Sequence, residues 1–492
     1  MKTSHIVLYA VVLLFTVLIR LAPSLYTNNV FSNDVWPLKR LTEYMLKNPN
    51  ANIYSLYEIY GHHVFWPISV LQGIVYIHVT GIHLDYFFKF AGVAILSIGM
   101  FLSVYLLAKR YSYEYRCCLA ASLVITLLPS FTLFTSAYLK EFYGYALTPI
   151  LLYLSIHGSR SRLPLLPILI SVALVLSHPL ASAMGIAILC SYLYVNLVSS
   201  LKDRKKFNIR FEHIVAIVSL AMVYALYSTF IAKPVIPISL TDLVILGIYA
   251  IAVYLAYLFL GGVTSTSLIA IASLLASTSI IYTITVPINN ILLLLYVIPP
   301  IISIAYRVRE GSLGRIKSAV LLPIVVLFLY IPTYMVEALG IIHRIVNYFV
   351  YAFIPMGIDI PKNSRKISTA ILLILVLATI TCSLASTLNH NLYTFYWRYG
   401  GYDNVFKNFI EVHALSINIY GDPKYSYMTP KIVGIPITII KELCEEPDFL
   451  VLSRDNLVYG IPITPVDLYK SPCDLFMNRN IVFNVGYLYV FA

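Results

Sequence analysis

Residues 32–81 read SNDVWPLKRLTEYMLKNPNANIYSLYEIYGHHVFWPISVLQGIVYIHVTG, and the membrane topology of the whole chain turns on this stretch. It follows an apolar run near 5–24 that is long enough to cross a bilayer. Within it, 66–81 is apolar again, but it opens on Trp66-Pro67 and carries Gln72 and His78. Counted as a span, this segment would invert every later loop. Read as a helix lying at the interface, it leaves those loops in place. The distribution of positive charge decides between the two.

The chain has 492 residues, 60% of them hydrophobic and 11% charged, with a mean hydropathy of +0.83. A soluble domain carries about 25% charged residues, so most of this surface must face lipid. Apolar runs place spans near 5–24, 84–108, 116–134, 142–157, 163–177, 180–199, 213–232, 243–260, 264–286, 290–306, 318–338, 345–360 and 367–388. The N-terminal run shows no small-residue cleavage site and reads as a retained first span. With the N-terminus in the cytoplasm and 66–81 at the interface, 18 Lys and Arg fall on cytoplasmic loops and span ends, and 7 on outside ones. The cytoplasmic clusters include Lys109, Arg110 and Arg116, then Lys202 to Arg210, then Lys362, Arg365 and Lys366. That asymmetry is the positive-inside rule. It accounts for the net charge of +12 without nucleic acid. The expected architecture is a polytopic α-helical membrane protein of about 13 spans at residues 1–388. A small α/β domain, 389–492, follows outside, where apolar runs shorten to strand length at 449–452, 481–483 and 487–490. Lys431 to Glu442 reads as a helix following Pro430.

The cytoplasmic loops are short and hold no P-loop, which argues against a nucleotide-driven pump and against a transferase using a cytoplasmic nucleotide sugar. The outside loops carry the chemistry. Asp34 stands at the end of the first span, where it or Asn33 could also cap a helix beginning at Trp36-Pro37. In that first outside loop, 25–83, the helix sets Leu38, Leu41, Tyr44 and Met45 on one face, and His62 and His63 follow. Lys140-Glu141 sits in the second outside loop, His178 in the third outside turn, and Arg344 at the start of the twelfth span. Each residue has an ordinary reading as a solvated loop group or a snorkelling cation. Together they place a carboxylate, a lysine, a histidine and an arginine on one side of the membrane.

This arrangement resembles the GT-C glycosyltransferases, integral membrane enzymes that take sugars from polyprenyl-phosphate carriers, and more distantly the catalytic subunit of oligosaccharyltransferase. The resemblance rests on Asp34-Val35-Trp36, Lys39-Arg40-Leu41, Glu43-Tyr44, Trp66-Pro67 and the charged turn Lys140-Glu141. The chain lacks the paired-acid motif of oligosaccharyltransferase. Its nearest string to the acceptor-reading Trp-Trp-Asp is Tyr396-Trp397-Arg398-Tyr399-Gly400, so a relative that moves single sugars fits better. The resemblance implies transfer of a hexose or pentose from a polyprenyl (dolichyl-type) phosphate sugar to a lipid-linked glycan or protein acceptor in cell-envelope glycosylation. Asp34 would be the general base. Lys140, His178 and Arg344 would hold the carrier phosphate, with Glu141, His62 and His63 in support. No cofactor is firmly indicated and no metal site is assigned, although Glu141 could help to hold a weakly bound divalent cation. A secondary transporter or a lipid-carrier flippase is the competing class; a transporter predicts internal repeats and acids deep in spans. Cys444 and Cys473, both outside in this topology, are candidates for a disulfide, with two free thiols as the alternative.

The topology is testable by labelling. With an impermeant maleimide applied from outside, Asp455→Cys is expected to react and Lys205→Cys is not; the reverse pattern would overturn the orientation.

Overall fold

In the computed structural model, the described residues are 3–111, 115–157, 165–202, 209–232, 240–260, 397–413 and 423–429, short strands between 419 and 491, and scattered positions from 322 to 388. Helix α1 (Thr3–Thr27) leads into a connector and then α2 (Val35–Lys47). A short helix α3 (Tyr57–Tyr60) and a 3-10 turn, Gly61–Phe65, carry the chain to α4 (Ile68–Thr80). Next come α5 (Leu84–Tyr86), a π-helical turn at Phe87–Ala91 and α6 (Gly92–Tyr111). They are followed by α7 (Tyr115–Thr126), α8 (Pro129–Thr135), α9 (Lys140–His157) and α10 (Leu165–Ser177). Helices α11 (Pro179–Lys202), α12 (Phe211–Phe230) and α13 (Leu240–Leu260) complete the described helical part.

Four of these stretches, His5–Thr27, Leu84–Arg110, Pro179–Val198 and Phe211–Phe230, are long and apolar enough to cross a membrane. Leu8, Val11, Leu14 and Leu18 of α1 and Val218, Met222 and Leu226 of α12 remain exposed, as residues facing lipid do. The chain is a multi-pass helical membrane protein. The expected spans beyond 260 lie largely outside the described residues, as do Cys444 and Cys473.

Two local details bear on the sequence expectation. Helix α4 has 13 residues and rises roughly 20 Å at about 1.5 Å per residue, short of the ~30 Å hydrocarbon core; this agrees with the interfacial reading. The expected span 116–134, however, is two helices. Leu128 is extended (φ −57°, ψ 134°) ahead of Pro129, which disfavours the helical conformation for its predecessor and has no N–H to give. The break exposes the Thr126 carbonyl, and Arg20 of α1 answers it. Its guanidinium donates to Thr126 O, to Thr135 Oγ1 at 2.8 Å and to Thr16 O at 3.0 Å. Arg20 is fully buried, so it ties α1 to both halves of the broken helix.

Helix α6 packs against α1, α7 and α9, and α9 also meets α10, α11 and α12. The approach of α9 to α11 is close enough that a Cβ on Gly144 would collide with the Ala181 methyl. This contact brings the N-terminal ends of α9 and α11 together, and with them Lys140 and His178.

Toward the C-terminus lie α14 (Gly401–His413), β1 (Ile419–Gly421), α15 (Pro423–Met428), β2 (Ile432–Gly434), β3 (Phe449–Ser453), β4 (Ile461–Pro462), β5 (Leu468–Tyr469), β6 (Ile481–Asn484) and β7 (Leu488–Phe491). Five of the strands form a sheet in the order β2-β1-β3-β7-β6. β1 is parallel to β2 and β3, whereas β7 is antiparallel to β3 and β6. The strands expected at 449–452, 481–483 and 487–490 correspond to β3, β6 and β7. The helix expected from Lys431 is not present at 432–434, where Ile432, Val433 and Gly434 pair with Ile419, Tyr420 and Gly421. The β-branched pair Ile432-Val433 suits a sheet position, and the ladder beside β1 overrides the local helix signal.

Candidate active site

The connector between α1 and α2 sets the first residue of the site. Asn28 and Ser32 have positive φ (51° and 87°), which turns the chain sharply after the first span. The C-terminal segment then fixes it. Ser32 N donates to Trp397 O at 2.8 Å, the Tyr399 hydroxyl donates to Asn33 Oδ1 at 2.9 Å, and Asn29 Nδ2 donates to Asn404 Oδ1 at 3.1 Å. Phe31 packs edge-on against Trp397, and Trp36 against Tyr399. Asp34 occupies the N-cap position of α2, yet its side chain makes no capping hydrogen bond. The Asn33 side chain is engaged by Tyr399, while its backbone carbonyl accepts from Trp36 N at 3.0 Å. The capping reading of this pair is therefore not realised, and the half-buried Asp34 carboxylate lies within electrostatic reach of His62, Lys140, Glu141 and Tyr427.

Lys140 and Glu141 open α9, ahead of the apolar part of that helix. Lys140 is 7% exposed, and its Nζ has no hydrogen-bond partner among the described residues. Burial pushes its pKa down to about 7, Asp34 opposes that shift, and the neighbouring Arg344 adds to it. Glu141 is buried too, and burial raises its carboxyl above the usual range against the pull of Arg344. Its partners are well defined. Oε1 accepts from the Tyr145 hydroxyl at 2.9 Å, and Oε2 lies 3.6 Å from Arg344 Nη1. Asn347 Nδ2 donates to that Tyr145 hydroxyl at 3.1 Å. The Arg344 guanidinium also stands over the Phe134 ring, 5.3 Å from its centroid.

Three histidines complete the group. His62 and His63 lie on the 3-10 turn, which Gly61 enters at φ 58°, a conformation suited to glycine. Their rings stack at 4.4 Å. His178 sits between α10 and α11. Burial, then the Lys140 charge, lowers all three, His62 to about 4 and the other two well below the ordinary value. All three are neutral at physiological pH. His63 Nδ1 and His178 Nδ1 are buried without a hydrogen-bond partner among the described residues.

The structure thus brings Asp34, His62, His63, Lys140, Glu141, His178 and Arg344 into one cluster, with each histidine within reach of the Lys140 charge. Tyr427 on α15, which the sequence did not single out, joins it through Asp34 and Arg344. Tyr145 joins it through Glu141, and Asn347 through Tyr145. Tyr145 had a legible signal, since it stands one helical turn after Glu141 on the same face of α9. Among the described residues, no group of three or more His, Cys, Asp or Glu is arranged to hold a metal ion. A cation on Glu141 would compete with Arg344 for the same carboxylate. The arrangement suits an anion: buried cationic groups and unbonded ring nitrogens stabilise a phosphate far better than they would in water.

No protein-family model matches the chain, and no curated protein matches it in sequence. Among solved structures, ArnT from Cupriavidus metallidurans bound to undecaprenyl phosphate is similar over 100% of this chain and 98% of its own, at 12% identity and a TM-score of 0.39. At that level neither fold nor function carries over.

The Glu141–Arg344 pair predicts a stability effect. Glu141→Gln should lower the thermal midpoint in detergent, at a cost of about 1–3 kcal/mol, below the loss for a fully buried pair because a quarter of the Arg344 side chain stays in solvent. An unchanged midpoint would contradict the pairing.

Proposed function

We propose that this protein is a membrane glycosyltransferase that moves a sugar from a polyprenyl-phosphate carrier to an acceptor hydroxyl at the outer face of the membrane. The observation that carries the reading is the buried, unbonded Lys140 ammonium, clustered with Arg344, His63 and His178 beside a carboxylate that caps no helix. The resemblance to GT-C enzymes in the first outside loop points the same way. In this reading residues 1–388 form the membrane part, and residues 389–492 lie outside and shape the acceptor side.

The chemistry follows from the charges. The acceptor oxygen bonds to the anomeric carbon as its proton passes to Asp34. The bond from that carbon to the phosphate oxygen breaks, and its electron pair leaves with the phosphate, which gains one negative charge. Lys140 and Arg344 stabilise that developing charge, and His178, neutral, donates a hydrogen bond through one ring nitrogen. Glu141 holds Arg344 in place. The polyprenyl chain stays in lipid beside α4, whose Leu71, Val75 and Val79 form an exposed apolar stripe. Transport remains the rival. Arg20, a fully buried charge in a described span, is committed to Thr16, Thr126 and Thr135, which suits a structural pin rather than an ion-carrying group.

Asp34→Asn should cut transfer by about 10²–10⁴-fold, the usual worth of a positioned base, with carrier affinity kept. Near-full activity would place the base elsewhere. Lys140→Ala and Arg344→Ala should weaken carrier binding as well as rate. Because burial lowers the pKa of the Lys140 ammonium to about 7, affinity for a sugar phosphodiester should fall progressively as pH rises above that value, and this dependence should vanish in Lys140→Ala.

A further inference from the structure

Among the described residues of the C-terminal segment, Tyr427 stands near both Asp34 and Arg344 of the candidate active site. Helix α15 is fastened beside the connector that bears Asp34: the Tyr399 hydroxyl lies 2.9 Å from both Asn33 Oδ1 and the Lys424 carbonyl. Lys424, Tyr425 and Met428 are buried, and α15 packs directly on α2. The Lys424 ammonium stands over the rings of Tyr399 and Tyr425 and faces Asp403 at 3.8 Å. This anchor leaves α15 little freedom. Tyr427, on the same short helix, behaves differently from its neighbours. It is half-buried, its hydroxyl makes no hydrogen bond among the described residues, and it lies within electrostatic reach of both Asp34 and Arg344.

We propose that Tyr427 binds the acceptor, and that the acceptor is a carbohydrate whose ring rests on the Tyr427 face beside Asp34. The inference rests on the transferase reading above. If Asp34 takes the acceptor proton and Arg344 holds the donor phosphate, a group within reach of both stands where acceptor and donor meet. Its aromatic ring offers a flat apolar face to the C–H side of a sugar, and its hydroxyl offers a donor and an acceptor to a neighbouring sugar hydroxyl. Burial, reinforced by the Asp34 charge, pushes the phenol up from its ordinary pKa, so the proton stays on it through the physiological range. Tyr427 is thus a neutral hydrogen-bonding platform rather than a second base.

Steady-state transfer tests this, with the polyprenyl-phosphate hexose that the unsubstituted protein turns over fastest as donor. Methyl glycosides of the common hexoses, and a serine/threonine-rich peptide, serve as acceptor probes. Tyr427→Ala should raise the acceptor KM about tenfold, as expected for losing a stacked ring and one hydrogen bond, while the donor KM changes less than about twofold. Tyr427→Phe, which keeps the ring, should recover part of the loss and match the unsubstituted protein in thermal midpoint. An unchanged acceptor KM in Tyr427→Ala, a parallel rise in both KM values, or transfer to the peptide but to none of the glycosides would overturn this inference alone. Absence of transfer by the unsubstituted protein from every donor would overturn the transferase reading together with it.

Discussion

A lysine ammonium taken out of water costs several kcal/mol unless opposite charge or a ligand compensates it, and the candidate active site of this protein is organised around one such lysine. Lys140 is buried among three histidines and an arginine, with Asp34 and Glu141 as the opposing charges. Glu141 is already engaged by Arg344 and Tyr145. The remaining imbalance falls on Lys140 and Asp34. A protein that needed only stability would have a simpler arrangement there, because a hydrophobic residue of similar size is often neutral or better. The retained, poorly compensated charge is the physical reason for reading the cluster as a binding and catalytic centre.

The scaffold explains how these groups come to share a site. α1 delivers the connector that ends at Asp34, and the C-terminal segment fixes that connector through Trp397, Tyr399 and Asn404. α8 and the turn after it deliver Lys140, and Arg20 pins α8 to α1 by holding Thr126 and Thr135. α9 and α11 approach closely at Gly144 and Ala181, which sets His178 beside Lys140. A broken helix is costly in lipid unless its freed backbone groups find partners. Arg20 provides that partner, so a charge buried in a span here serves geometry.

Much of this arrangement was legible in the sequence, because hydropathy over long apolar runs is a local property. The runs at 5–24, 84–108, 180–199 and 213–232 are helices of spanning length, and the Trp66-Pro67 start marks a helix too short to cross. Pro129 was visible inside the run 116–134, but unbroken apolar composition masked the break that it makes. Residues fixed by distant partners were harder. Asn33 and Asp34 both read as caps from their neighbours, and Tyr399, far along the chain, shows why the Asn33 side chain turns away from that role. The segment at Ile432 reads as a helix start and joins a sheet because β1 lies beside it. Tyr427 carries no local signal at all. Its place follows from the anchoring of α15 by Lys424 and Tyr399, a contact between segments remote in sequence.

The proposed function depends on cleavage of a polyprenyl-phosphate sugar at this cluster. The most direct measurement reconstitutes the purified protein in liposomes with polyprenyl phosphates bearing radiolabelled hexoses or pentoses, and follows where the label goes. Protein-dependent loss of label from at least one carrier, with the sugar recovered on a water-soluble acceptor and the polyprenyl phosphate left behind, is the expected result. Carrier recovered with its sugar still attached but moved to the other leaflet would contradict sugar transfer and identify the protein as a flippase.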